Sequence, residues 1–274
     1  MVDWELPEVH RTPGGVVRWA RHGAGSPVVL MHGTPFSSVV WRDVVAALAH
    51  RHEVFVWDML GYGQSEMRDG QDVSLRAQQE IFVSLLDRWG LGAPTVVAHD
   101  IGGAVALRAA LLSKRAYARL ALLDAVALGQ WGSGFFRLAR ENDEVLTALP
   151  GYMHEAMVRS HLATASHVGL PATVVDELAR PWLGAQGQRA FYRQIAQADQ
   201  RFTDEIEPHY GELDLPVLVG WGRCDGWLLP EYARSLAAAI PDAGLRWFDN
   251  AGHLIQLDAP AQLVSALRDF LASA

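Results

Sequence analysis

The chain has 274 residues, 50% of them hydrophobic and 20% charged, with 23 Lys and Arg against 31 Asp and Glu for a net charge of −8. That length buries a substantial core in one large α/β domain, and no linker, charge block, low-complexity tract or internal repeat argues for two. The basic residues are scattered rather than striped, which excludes the concentrated cationic face that a nucleic-acid backbone demands, and Asp, Arg or Lys interrupts every stretch that could span a bilayer.

The N-terminal MVDWELPEVHRTPGG carries acidic residues and no apolar core, unlike a secretory signal. Its second half opens a hairpin, with EVHRT and VVRWAR as strands around Pro13-Gly14-Gly15. A strand at 28–31 then enters the loop His32-Gly33-Thr34-Pro35, followed by a helix near 38–50. The next strand, 53–57, runs into a D-x-x-G-x-G-x-S turn made of Asp58, Gly61, Gly63 and Ser65. Ser65 is read as part of that turn rather than as a nucleophile. In the helix predicted over 74–89, Leu75, Ile81, Phe82, Leu85, Leu86 and Trp89 fall at helical spacings, and Gly90 is placed to end it.

The strand 95–98 passes directly into a glycine-rich helix near 101–113, and Asp100 stands at the junction. A further strand, 119–123, ends at Asp124. From 127 to 212 the alternation stops: short helical segments are broken by Gly132, Gly134, Pro150, Gly151, Gly169, Pro171, Pro181, Gly184 and Gly187, with no convincing strand. Strands resume at 216–220 and 245–249, with helices near 230–239 and 260–272. Repeated strand-helix units imply a mostly parallel sheet with helices on both faces and right-handed crossovers.

Asp100 admits two readings. An aspartate is a favoured helix N-cap, where its charge suits the positive end of the helix dipole. Yet Ala98-His99-Asp100-Ile101-Gly102-Gly103 resembles the nucleophile elbow G-x-S-x-G, with Ala for the first Gly and Asp for Ser. Small residues at 98 and 102 let the chain turn sharply, so that the central side chain projects above the sheet. Further on, VLVGWGRCDGWLLP places Asp225 just past a strand, and WFDNAGHLIQLDAP places His253 in a loop between the last strand and the last helix. The order nucleophile, acid, histidine is that of one fold. Cys224, beside Asp225, has no histidine at a suggestive spacing and is not read as a nucleophile. As the sole cysteine it excludes an intramolecular disulfide, in keeping with a cytoplasmic location.

Together these segments resemble the α/β-hydrolases over nearly the whole chain, in the branch that uses an aspartate nucleophile and holds the haloalkane dehalogenases and epoxide hydrolases. The resemblance implies an α/β-hydrolase core made of 1–126 and 213–274, with 127–212 inserted as a helical cap over the carboxyl ends of the strands. It also implies Asp100 as nucleophile, His253 as base and Asp225 as the acid that orients it, with Asp124 as the alternative acid. The amides of Thr34 and Ile101 are implied as the oxyanion hole, and no cofactor or metal is called for. His32 and His99 are read as loop-fixing hydrogen-bond donors.

The residue type at 100 selects the chemistry. A carboxylate with an ordinary pKa of about 3.9 is already ionised at neutral pH and needs no base to attack. On an ester it would yield a mixed anhydride, whereas on a saturated carbon bearing a halide or a strained oxygen it yields an ordinary alkyl ester. The base then activates water against that ester. Among such reactions the reading favours an epoxide in a small apolar substrate, with Tyr152 and Tyr192, or Tyr210, as cap hydroxyls for the ring oxygen. Trp131 and Trp182 suggest an apolar channel. Dehalogenation is the alternative: HGTPFSSVVWRD is similar to the H-G-N-P-T-S-S-Y-L-W-R loop of dehalogenases, but Thr34 and Ile101 replace the usual halide donors. An acyl hydrolase or lyase, or a non-catalytic ligand-binding member of the fold, are further alternatives.

Overall fold

The computed structural model describes residues 4–272. Eight strands, β1 (Glu8–Thr12), β2 (Gly15–His22), β3 (Ser26–Met31), β4 (His52–Trp57), β5 (Thr95–His99), β6 (Arg119–Leu123), β7 (Val217–Gly222) and β8 (Gly244–Phe248), form one sheet. Their order is β1-β2-β4-β3-β5-β6-β7-β8. The β1–β2 and β2–β4 pairs are antiparallel, and every later pair is parallel. This is the mostly parallel sheet that the sequence predicts.

Helices α1 (Arg42–Leu48), α2 (Leu75–Trp89) and α3 (Ile101–Leu111) follow the early strands. The segment expected to be helical from residue 38 begins as a 3-10 turn, Ser38–Trp41, before α1 takes over. α2 starts where the Ser74 hydroxyl accepts the Ala77 N–H and stops at Gly90, as predicted. α3 is buried along all but one of its residues, and β5 beneath it is buried throughout. A strand covered on both faces is a continuous apolar run rather than an alternating one. Val96 and Val97 are fully buried there, and each such side chain stabilises the fold by about 1.5–3 kcal/mol.

Between β6 and β7 lie six short helices: α4 (Gly134–Glu141), α5 (Asp143–Thr147), α6 (Gly151–Ala163), α7 (Ala172–Ala179), α8 (Gly184–Gln197) and α9 (Arg201–Asp204). They contribute no strand. They pack onto the loops at the carboxyl ends of the sheet: the Trp182 indole N–H donates to the Pro35 carbonyl (2.7 Å), and the Thr34 hydroxyl donates to Gln194 Oε1 (2.6 Å). After β7 come α10 (Glu231–Ala239), then β8, the short α11 (Ile255–Asp258) and α12 (Pro260–Ala272). Among the described residues no helix is long and apolar enough to cross a membrane.

The register positions the site. Met31 pairs with Ala98, and His99 with Leu123, so the loops bearing Thr34, Asp100 and Asp124 leave the sheet at one level. β3 and β5 are neighbours because the chain crosses from one side of β3 to the other between β4 and β5. The crevice at such a switch point is where open α/β sheets place ligands.

Candidate active site

Asp100 occupies the sharp turn between β5 and α3 with φ 54° and ψ −125°. A non-glycine residue in that region is strained and persists only where its surroundings over-determine it. Two close approaches supply the constraint. A Cβ on Gly102 would lie 2.5 Å from the His32 carbonyl, so only glycine lets α3 sit this near the end of β3. A Cβ on Gly33 would fall 2.3 Å from the Asp100 Cβ, so the loop can wrap the carboxylate only with glycine there.

The side chain does not cap its own helix in the usual way; it makes no cap hydrogen bond. Instead Asp100 Oδ1 accepts the Thr34 N–H at 2.6 Å, and the adjacent Ile101 amide favours the charged form of this carboxylate. Oδ2 lies 3.5 Å from His253 Nε2. On its other side His253 Nδ1 meets Asp225 Oδ2 at 2.9 Å, while Asp225 Oδ1 accepts the amides of Trp227 (2.7 Å) and Leu228 (3.0 Å). Asp100, His253 and Asp225, three residues far apart in sequence, therefore form a contiguous buried row, with Thr34 and Ile101 at its head.

Asp124, the alternative acid, is not the partner of His253: its Oδ1 accepts the Gly222 N–H at 2.9 Å. Burial and the neighbouring Asp225 push its pKa well above the ordinary carboxylate range, which disfavours its charged form. Asp100 and His253 behave differently. Burial opposes the charge of Asp100, but the hydrogen bond and charge of His253 outweigh it and hold the carboxyl below its ordinary pKa. Burial would likewise lower His253, yet Asp225 and Asp100 override it and raise the imidazole well above its usual value. Each of these two charges favours the other: the Asp100 carboxylate favours the imidazolium, and the imidazolium favours the carboxylate.

The flanking histidines fix loops. His32 Nδ1 donates to the Gly33 carbonyl (2.9 Å) and its Nε2 accepts the Met59 N–H (2.9 Å), which selects one neutral tautomer. His99 is pushed down to about 3 by burial, and its Nε2 donates to the His253 carbonyl at 2.8 Å. Ser65 is structural: its hydroxyl donates to the Asp58 carbonyl (2.6 Å) and accepts the Arg18 N–H (2.9 Å). Cys224 is exposed.

A narrow cavity opens above Asp100, walled by Phe136, Phe191, Ile195 and Trp131 of the inserted segment and by Trp227. Trp227 stacks on His253 with 5.0 Å between ring centroids, and His161 stacks on Trp227 at 4.3 Å. Burial pushes His161 down to about 4, so it lines the cavity as a neutral ring.

None of the tyrosines expected at the reacting atom lines this cavity. Tyr152 is 74% exposed, because the buried residues of α6 are His154, Val158 and Leu162, and Tyr152 falls on its outer side. Tyr192 is buried, but at 3.6 residues per turn it points away from the face made by Phe191, Gln194 and Ile195. Its hydroxyl meets His154 Nδ1 at 3.1 Å. Tyr210 donates to the Ala127 carbonyl at 2.6 Å. The indole N–H groups of Trp131, Trp182 and Trp227 are also committed, to Thr203, Pro35 and Thr164. The residue that does face the cavity with polar atoms, Gln194, escaped the sequence reading. Its signal was a glutamine at helical spacing from Phe191, on an apolar face. Among the described residues no group of three His, Cys, Asp or Glu is arranged to hold a metal ion.

Residues 26–260 match the α/β hydrolase fold family. The chain belongs to that family. As an α/β-hydrolase it is similar over 97% of its length to the crystal structure of an α/β hydrolase fold protein from Burkholderia ambifaria, with 43% identity, 98% of that chain covered and a TM-score of 0.94. Among named relatives, a pimeloyl-[acyl-carrier protein] methyl ester esterase of Photobacterium profundum is 27% identical over 92% of this chain and 97% of its own length. Haloalkane dehalogenase 2 of Mycobacterium bovis is 24% identical over 92% of this chain and 90% of its own. The family and these relatives make the coarse assignment of this chain that of a hydrolase of the α/β fold.

Proposed function

We propose that this α/β-hydrolase attacks a saturated electrophilic carbon with Asp100, forming an alkyl ester that His253-activated water then cleaves, and that its substrate is a small apolar epoxide. The observation that carries the reading is the division of labour on the Asp100 carboxylate. Oδ1 is already held by the amide of Thr34, the adjacent Ile101 amide also favours the charged carboxylate, and Oδ2 stands beside His253. In the ester, Oδ2 bears the alkyl group. When water adds to the carboxyl carbon, negative charge develops on Oδ1, where the Thr34 amide stands ready and the Ile101 amide is the second donor of the proposal. A serine enzyme binds a substrate oxygen in such a hole; here the oxygen belongs to the enzyme.

Proton bookkeeping favours the epoxide. Asp100 gives an electron pair to the new C–O bond, the ring C–O bond breaks, and its pair stays on the ring oxygen. Esterification removes the Asp100 charge that helped keep His253 protonated, so the imidazolium releases its proton as the alkoxide forms. Neutral His253 then takes a proton from water, hydroxide adds to the ester carbon, and the tetrahedral intermediate expels the diol oxygen, which takes the proton of the added hydroxyl. The Asp100 carboxylate and the imidazolium are restored. Asp225 orients the ring throughout. A halide would need no proton, and the tryptophan N–H groups that could hold one are engaged elsewhere. The narrow, aromatic cavity fits a small apolar substrate, and the contacts of 127–212 with Thr34 and Pro35 support its reading as the cap that excludes bulk water.

A rapid acid quench after mixing with 1,2-epoxybutane, 1-bromobutane or methyl butyrate, followed by mass spectrometry of the Asp100 peptide, tests this reading. The epoxide is expected to add its whole mass to Asp100. An adduct of the bare butyl group from bromobutane alone would move the assignment to dehalogenation. Cleavage of the ester with no alkyl adduct from either other compound would overturn the proposal.

A further inference from the structure

The most conspicuous unused group in the cavity is the carboxamide of Gln194. It sits on α8, is only 3% exposed and lines the cavity with Asp100, yet its Nε2 has no hydrogen-bond partner among the described residues. Its Oε1, by contrast, is doubly occupied: it accepts the Thr34 hydroxyl at 2.6 Å and the Tyr62 hydroxyl at 2.9 Å. Two hydroxyl protons converging on Oε1 commit that end of the carboxamide and leave Nε2 to find its partner elsewhere, and they polarise the amide so that its N–H groups become stronger donors. Thr34 also fixes the position, since its backbone N–H holds Asp100 Oδ1 while its side chain holds Gln194.

A buried amide N–H without an acceptor is expensive, and native structures retain one where a ligand supplies the missing partner. We infer that Gln194 is a catalytic residue whose Nε2–H donates to the substrate atom displaced by Asp100, the role the tyrosines do not fill. The inference rests on the proposed attack by Asp100 and adds the group that supports the leaving atom. No proton leaves Gln194: as the ring C–O bond breaks, the oxygen receives the electron pair, accepts the hydrogen bond from Nε2–H and takes its proton from the His253 imidazolium. Because charge on that oxygen grows only as the bond breaks, the donor acts on the opening step and not on hydrolysis of the ester.

The test compares Gln194→Met, which keeps the length and removes the donor, with Gln194→Glu, which keeps the shape and the acceptor oxygen but has no N–H when ionised. Pre-steady-state formation and decay of the Asp100 adduct are followed with 1,2-epoxybutane, and thermal melts confirm folding. In both variants adduct formation is expected to slow by about a hundredfold or more, with adduct hydrolysis within a few-fold of the parent. Unchanged adduct formation in a folded variant, or equal slowing of both steps, would overturn the role of Gln194 while leaving Asp100 as nucleophile. Absence of any adduct in the parent enzyme would instead remove the Asp100 reading and this inference with it.

Discussion

Asp100→Ala is expected to lose turnover by a factor approaching 10⁶, the scale seen when a nucleophile that acts as a unit with its base is removed. The fold should survive. Asp100 sits in the turn with its side chain above the sheet, while the packing beneath is made by β5 and α3, so the substitution removes charge and hydrogen bonds rather than core volume. It does leave the Thr34 N–H without its acceptor, and it deprives His253 of one of the two carboxylates that hold it protonated. The imidazole pKa should therefore fall, which an NMR titration of His253 in the variant can follow. Turnover near the parental rate in Asp100→Ala would mean that another group attacks.

His253→Gln is expected to separate the half-reactions. Removing the base should slow ester hydrolysis by about 10²–10⁴. Opening of the epoxide should slow less, because the Asp100 carboxylate needs no activation and water can return the proton that the alkoxide requires. The ester at Asp100 should then become the predominant form of the variant during turnover, visible as a stable mass increase. The pH dependence follows from the same charges. Asp100 is held below its ordinary pKa, so alkylation persists at mildly acid pH and is lost only as pH falls through that lowered value. Should His253→Gln neither turn over nor accumulate an adduct from a substrate that the parent consumes, His253 serves the first step as well or Asp100 is not the nucleophile.

How much of this is legible in the amino-acid order depends on which forces set each part. The strands of the sheet are readable because β3, β5 and β6 are buried on both faces and appear as short apolar runs ended by Gly, Pro or Asp. The three residues of the buried row stand out for a related reason: Asp100, Asp225 and His253 each lie in a loop after a strand, where polar side chains are otherwise unexpected amid apolar sequence. The inserted helices are readable only as an interruption. Which of their faces meets the cavity is fixed by packing against the loops at Thr34 and Pro35, a contact across more than a hundred residues that no local pattern encodes. Tyr152 and Tyr192 illustrate the consequence, since chemical type suggested them and helical phase turned one to the surface and the other onto His154. Gln194 is the converse case. Its spacing from Phe191 placed it on the apolar face, and only the structure pairs its Oε1 with Thr34 and Tyr62 and leaves Nε2 without a partner among the described residues.

The central claim is that the oxygen delivered to the product comes from Asp100 and that water attacks the enzyme. A single turnover of 1,2-epoxybutane by excess enzyme in ¹⁸O-labelled water, with both the diol and the Asp100 peptide analysed by mass spectrometry, tests it most directly. The account predicts an unlabelled diol and one labelled oxygen in the Asp100 carboxylate. A labelled diol with Asp100 unlabelled would show that water attacks the substrate itself, and would contradict the covalent mechanism.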